Sequence, residues 1–130
     1  ATTISAPIAS PPVDPSRTLL TGFSLGGLGT WHIMGEQGGN PDRRFRSALS
    51  VAAAPPPESV ARFPNVPLHA IHSDLDEIFP IANVEDAIAE VKGRGVPASL
   101  DRISGVTHFN VPGFVTAVRE AVDWVRKSWD

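Results

Sequence analysis

The stretch Thr21-Gly22-Phe23-Ser24-Leu25-Gly26-Gly27 decides the fold. Before it runs Arg17-Thr18-Leu19-Leu20-Thr21, an apolar segment that reads as a short buried strand. After it, Leu28-Gly29-Thr30-Trp31-His32-Ile33-Met34 reads as a helix. A G-x-S-x-G pattern between a strand and a helix is a nucleophile elbow. The turn is so tight that the residues two before and two after the serine approach its backbone, and only glycine leaves room there. Ser24 then sits on a strained corner, its hydroxyl exposed and the positive end of the helix beneath it. The alternative is a glycine-rich turn with no chemistry, and the rest of the chain has to decide between the two.

Working outward, residues 1–16 are rich in Pro, Ser, Ala and Thr, a composition that predicts an extended arm or linker. Asp14-Pro15-Ser16 is a turn signal that launches the first strand. Residues 17–130 form the folded unit. The helix after Ser24 is expected to end near Gly35 to Gly39, where glycine supplies a left-handed cap, and Asn40 to Arg44 reads as a polar turn. Ser47 to Ala52 is a second buried strand, and Glu58 to Arg62 a short helical turn behind three prolines. Pro67 to His72 is a third strand. Pro80 fits the first turn of the helix that follows, in which Ile81, Val84, Ala87, Ile88 and Val91 recur at helical spacing until Gly93 and Gly95 stop it. Ala98 to Ile103 alternates more and reads as a strand nearer an edge. The last helix carries the clearest stripe: Phe114, Val118, Ala121, Val122, Val125 and Trp129. Strands alternating with helices in this rhythm imply an α/β fold with a parallel sheet of about four strands and flanking helices.

In such sheets function gathers at the carboxyl ends of the strands. Ser24 follows the first strand, Asp76 the third, and His108 lies in the loop after the fourth. Asp76 stands 52 residues after Ser24 and His108 a further 32 on, enough for the elements between them. The chemistry asks for these types. A serine is a poor nucleophile until a neutral imidazole takes its proton, and the imidazole needs a carboxylate to fix its tautomer and stabilise the cation. Asp74 and Glu77 share the turn with Asp76 and compete for the acid's place. A rival reading takes His69-x-x-His72-x-Asp74-x-Asp76 as a metal site. Residues three apart on a strand point to opposite faces, so His69 and His72 read as structural. His32 reads as a surface residue of its helix.

Composition removes several classes. Net charge is −3 with no basic cluster, which argues against a nucleic-acid partner. With no cysteine in the chain there is no disulfide, zinc-thiolate site or thiol nucleophile. No apolar run approaches the length of a membrane span, so no membrane partner is expected. No cofactor is expected either. The compartment stays open between secreted and cytoplasmic.

The three segments together resemble a known family. Val13-Asp14-Pro15-Ser16-Arg17 leading into Gly22-Phe23-Ser24-Leu25-Gly26-Gly27, then Gly29-Thr30-Trp31, is similar to the elbow region of α/β-hydrolase esterases. The phospholipase/carboxylesterase, esterase D and polyhydroxybutyrate-depolymerase-like branches are the nearest in pattern. Pro67 to Ser73 with Asp76-Glu77-Ile78-Phe79-Pro80 resembles their acid segment, and Gly105-Val106-Thr107-His108-Phe109 their histidine loop. The resemblance covers residues 13 to 129. It implies the C-terminal half of that fold and cleavage of small or short-acyl carboxylic esters. Ser24 would be the nucleophile, Asp76 the orienting acid, His108 the base, and the amide of Leu25 an oxyanion donor. Leu25, Phe79 and Phe109 would line what remains of the pocket. Members of that family carry about as much chain again before the elbow, including the loop that gives the second oxyanion donor. The expectation is therefore either a half-hydrolase completed by a separate N-terminal half, or a homodimer that covers the open edge of the first strand.

Overall fold

In a computed structural model, residues 13–38 and 45–130 are described. Residues 1–12 of the arm expected over 1–16, and the polar turn over 40–44, lie outside them. Four strands, β1 (Leu19–Phe23), β2 (Ser47–Val51), β3 (Leu68–Ser73) and β4 (Ala98–Ile103), form one parallel sheet in the order β1-β2-β3-β4. Between and after them come α1 (Leu25–Gln37), α2 (Pro57–Arg62), α3 (Ile81–Gly93) and α4 (Val115–Ser128), the last preceded by a 3₁₀ turn at Val111–Phe114. The architecture is the expected α/β one, with the expected four strands among the described residues. β1 sits two residues further along than its apolar run suggested, because its register pairs Gly22 with Ser50 and Phe23 with Val51. The helix accordingly starts at Leu25 rather than Leu28.

Side chains alternate across the strands, and each face has its own core. Ala48, Leu68 and Ala70 meet Trp31 and Met34 of α1, Val60 of α2 and Val84 of α3. Strands that step across the sheet in one direction through right-handed crossovers put all three connecting helices on the same side. On the other side Leu49, Val51 and Ile71 pack against Phe114, Ala117 and Ala121. There, among the described residues, α4 is the one long helix that covers the four strands.

That asymmetry changes the expected stripe of α4. Its buried residues are Ala117, Ala121 and Val125, while Val118 and Val122 are 39% and 44% exposed. The helix is centred over the middle strands, so its flank toward β1 is bare. Between that flank and β1 lies a groove of about 560 Å³ lined by Thr21, Phe23, Val115, Val118 and Val122. Among the described residues β1 pairs with β2 alone. No helix there is long and apolar enough to cross a membrane.

Candidate active site

β1 runs into α1 through Ser24, whose backbone takes φ 58° and ψ −114°, a strained conformation for a residue with a side chain. The corner is pinned from outside the turn: the Ser24 N–H donates to the Val51 carbonyl at 2.8 Å. Glycine is required at Gly22, where a Cβ would run into the Gly26 carbonyl, and at Gly27, where it would crowd Ala53 and Ser50. It is not required at Gly26, where a Cβ would meet nothing, so the expectation of a steric need on both sides of the serine holds on one side only. The approach between residues 22 and 26 is close, but the Gly26 Cβ direction points into open space.

A serine at a helix N-cap ordinarily turns its hydroxyl back to the first-turn amides. Ser24 makes no such cap. Its Oγ lies 2.7 Å from Nε2 of His108, 84 residues away. On the other side of the ring, Nδ1 of His108 stands 2.8 Å from Oδ2 of Asp76. The carboxylate fixes the proton on Nδ1, leaving the Nε2 lone pair to accept from the Ser24 hydroxyl. His108 is almost fully buried, stacked on Phe23 at 5.7 Å and bounded by Phe79 and Phe109 at 5.5 and 5.0 Å.

Asp76 is buried as well. Burial alone would raise its pKa, but the Phe79 N–H at 2.7 Å, the His108 ring and the Ile78 N–H at 2.9 Å outweigh it. The carboxyl is held below the ordinary value of 3.8 and stays ionised. Its two competitors in the turn do other work. Asp74 accepts the Gly105 N–H at 2.9 Å, and Glu77 the His108 N–H at 2.6 Å.

Sequence reasoning missed His72 as part of this site. Its Nε2–H donates to the Phe79 carbonyl at 2.6 Å and lies 3.5 Å from Oδ2 of Asp76, bracing the acid turn from below. His69 leans the other way, stacked on Trp124 at 5.1 Å with Nδ1 2.6 Å from the Ser99 hydroxyl. Burial pushes the His69 imidazole below its ordinary value, with Asp101 opposing. The two histidines therefore do not converge. Among the described residues no group of three or more His, Cys, Asp or Glu side chains is disposed to hold a metal ion. The signal for His72 was present: a histidine four residues before the acid, at the end of a strand that turns sharply.

Leu25 opens α1, and an amide in a first helical turn has no intrahelical acceptor. Leu25 is 78% exposed and Phe109 75%, while Phe79 is half-buried against the His108 ring. One end of the sheet thus carries a hydroxyl, an imidazole and a carboxylate in sequence.

Solved structures with this arrangement of strands and helices are numerous. A thermostable esterase superposes with a TM-score of 0.72 at 21% identity, over 88% of this chain and 32% of that one. This is the α/β-hydrolase fold. Acyl-protein thioesterase 2 of Zea mays matches with a TM-score of 0.62 at 17% identity, over 85% of this chain and 55% of its own. A puromycin-hydrolysing peptidase of Mycobacterium tuberculosis matches with 0.73 at 14%, over 89% and 23%. The chain thus spans from about a quarter to just over half the length of these structures. In sequence, 46 residues are 44% identical to part of the non-reducing polyketide synthase atr1 of Stereocaulon alpinum, covering 35% of this chain and 2% of that protein. No known family profile matches the chain.

Proposed function

We propose that the chain is a serine hydrolase that cleaves small or short-acyl carboxylic esters through a covalent acyl-Ser24 intermediate. The observation that carries the reading is the Ser24 Oγ to His108 Nε2 distance of 2.7 Å, made by a serine that forgoes its own helix cap. The esterase and thioesterase among the structural neighbours support it.

In this mechanism Ser24 Oγ attacks the ester carbonyl as its proton passes to Nε2 of His108, and Asp76 stabilises the imidazolium. The tetrahedral oxyanion is met by the Leu25 N–H at the positive end of α1. The imidazolium returns the proton to the leaving alkoxide, and the acyl group stays on Ser24. Water then attacks the acyl-enzyme, giving its proton to His108, and collapse of the second oxyanion releases the acid and restores the Ser24 hydroxyl. No cofactor enters these steps. Phe79 and Phe109 flank the imidazole and give the acyl or alcohol portion an apolar wall. A fluorophosphonate is expected to stop turnover of p-nitrophenyl acetate or butyrate by adding to Ser24. Undiminished turnover after full exposure to it would count against the assignment.

A second reading qualifies the first: the chain is a hydrolase portion that works with a second copy or a complementing segment. What favours it is the edge of β1, which no strand among the described residues pairs on its outer side, beside the bare flank of α4, because an unpaired apolar edge is a template for association. Leu25 offers one oxyanion donor, and lacking a second typically lowers turnover ~100- to 1,000-fold. Light scattering of the purified chain is expected to give a multiple of 13.8 kDa. A single-chain mass together with rapid ester turnover would contradict this second reading.

A further inference from the structure

The loop that delivers His108 lies between the end of β4 at Ile103 and the 3₁₀ turn that starts at Val111. It has no ladder or helix to hold it. Three side chains, one at the end of β3 and two in the turn after it, hold its backbone instead. Ser73 Oγ accepts the Val106 N–H at 3.2 Å, Asp74 Oδ1 accepts the Gly105 N–H at 2.9 Å, and Glu77 Oε1 accepts the N–H of His108 itself at 2.6 Å. The last is the shortest and falls on the residue whose ring must reach Ser24. A charged acceptor makes a hydrogen bond roughly twice as strong as a neutral one. Among the described residues no arginine or lysine pairs with the Glu77 carboxylate.

We propose that Glu77 is the positioning residue of His108. Glu77 directly follows Asp76, so one turn supplies a carboxylate to the ring of His108 and another to its backbone. The acid and the base are thereby held to the same short segment and shift together. That segment is itself fixed, by the Ile78 and Phe79 amides on Asp76 and by His72 beneath it. The proposal rests on the reading of Ser24 and His108 given above. It adds the group that keeps their 2.7 Å contact in register.

The test compares Glu77→Ala and Glu77→Met, which remove the acceptor, with Glu77→Gln, which keeps one. Both removals are expected to lower kcat by ~10- to 100-fold, the cost of misplacing a catalytic group by about an ångström, with KM within about threefold of wild type. Glu77→Gln is expected to recover kcat to within about threefold. A second readout does not need turnover: the proton on His108 Nδ1, bonded to Asp76, should give a low-field NMR resonance that broadens or vanishes in the Ala and Met variants and returns in Gln. Equal thermal melts across the set separate misplacement from unfolding. Unchanged kcat and an unchanged resonance in both removals would overturn the proposal, as would a Gln variant as impaired as Ala. Should the wild type prove inactive toward esters, the reading of the site fails separately. The resonance alone then judges Glu77, its loss in the Ala and Met variants supporting the positioning role and its survival refuting it.

Discussion

Replacing Ser24 with alanine is expected to lower kcat for short-acyl p-nitrophenyl esters by about a hundred-thousand-fold, with the fold intact. The size follows from covalent catalysis acting as a unit: deleting the nucleophile in a serine hydrolase disables base and acid as well, leaving binding and oxyanion stabilisation alone. Stability should fall only by the ~1–3 kcal/mol of losing the hydrogen bond to the buried His108 ring, because the Ser24 hydroxyl does not cap α1 and its removal costs the helix nothing. The corner is held by backbone, through Ser24 N–H to Val51 and Leu28 N–H to Ser24. Alanine can occupy the φ 58° conformation about as badly as serine does, so the strain is carried over unchanged. Initial-rate kinetics alongside a thermal melt check both halves. Turnover in the alanine variant within tenfold of wild type would remove Ser24 from the chemistry.

Asp76→Asn is expected to lower kcat by about ten-thousand-fold, through the tautomer of His108 rather than through a lost charge alone. The Asp76 carboxylate accepts from Nδ1–H on one oxygen and from the Ile78 and Phe79 amides on the other. An asparagine keeps its carbonyl on those two amides and turns its NH₂ toward the ring. Nδ1 must then accept, the proton moves to Nε2, and the lone pair that receives the Ser24 proton is gone. The same carboxylate ties stability to pH. Its folded pKa lies below the unfolded value, so its contribution is fully present above the ordinary value of 3.8 and is lost as pH falls through the lower folded value. Melting curves between pH 5 and 2 should therefore fall more steeply for wild type than for Asp76→Asn, as expected for about one titrating carboxylate. Parallel curves would mean the carboxyl is not held in its ionised form.

Much of this site was legible because its parts sit at places where local sequence rules are strict. The G-x-S-x-G corner needs a glycine before the serine for a steric reason that a single residue satisfies, and Gly22 is that residue. The strands of a parallel sheet, buried on both faces, show as short apolar runs, and β2, β3 and β4 lie within a residue of where those runs placed them. What escaped was set by tertiary arrangement. Helical periodicity groups Val118 and Val122 with Ala121 and Val125, but cannot say that one long helix faces four strands and leaves a flank uncovered. Strand alternation separated His69 from His72 correctly, yet the bond from His72 to the Phe79 carbonyl depends on the chain folding back after β3. Asp74, Asp76 and Glu77 were indistinguishable as candidate acids by type and spacing. In the structure they take three separate targets, two backbone amides and one ring nitrogen.

The claim on which the account turns is that His108 makes the Ser24 hydroxyl reactive. Native mass measurement after incubation with a fluorophosphonate tests it directly, reading both adduct and assembly. One probe per chain, mapped to the peptide containing Gly22-Phe23-Ser24-Leu25-Gly26 and absent after His108→Ala, is the predicted result. A wild-type protein that stays unlabelled, or one that labels equally well without His108, would contradict it.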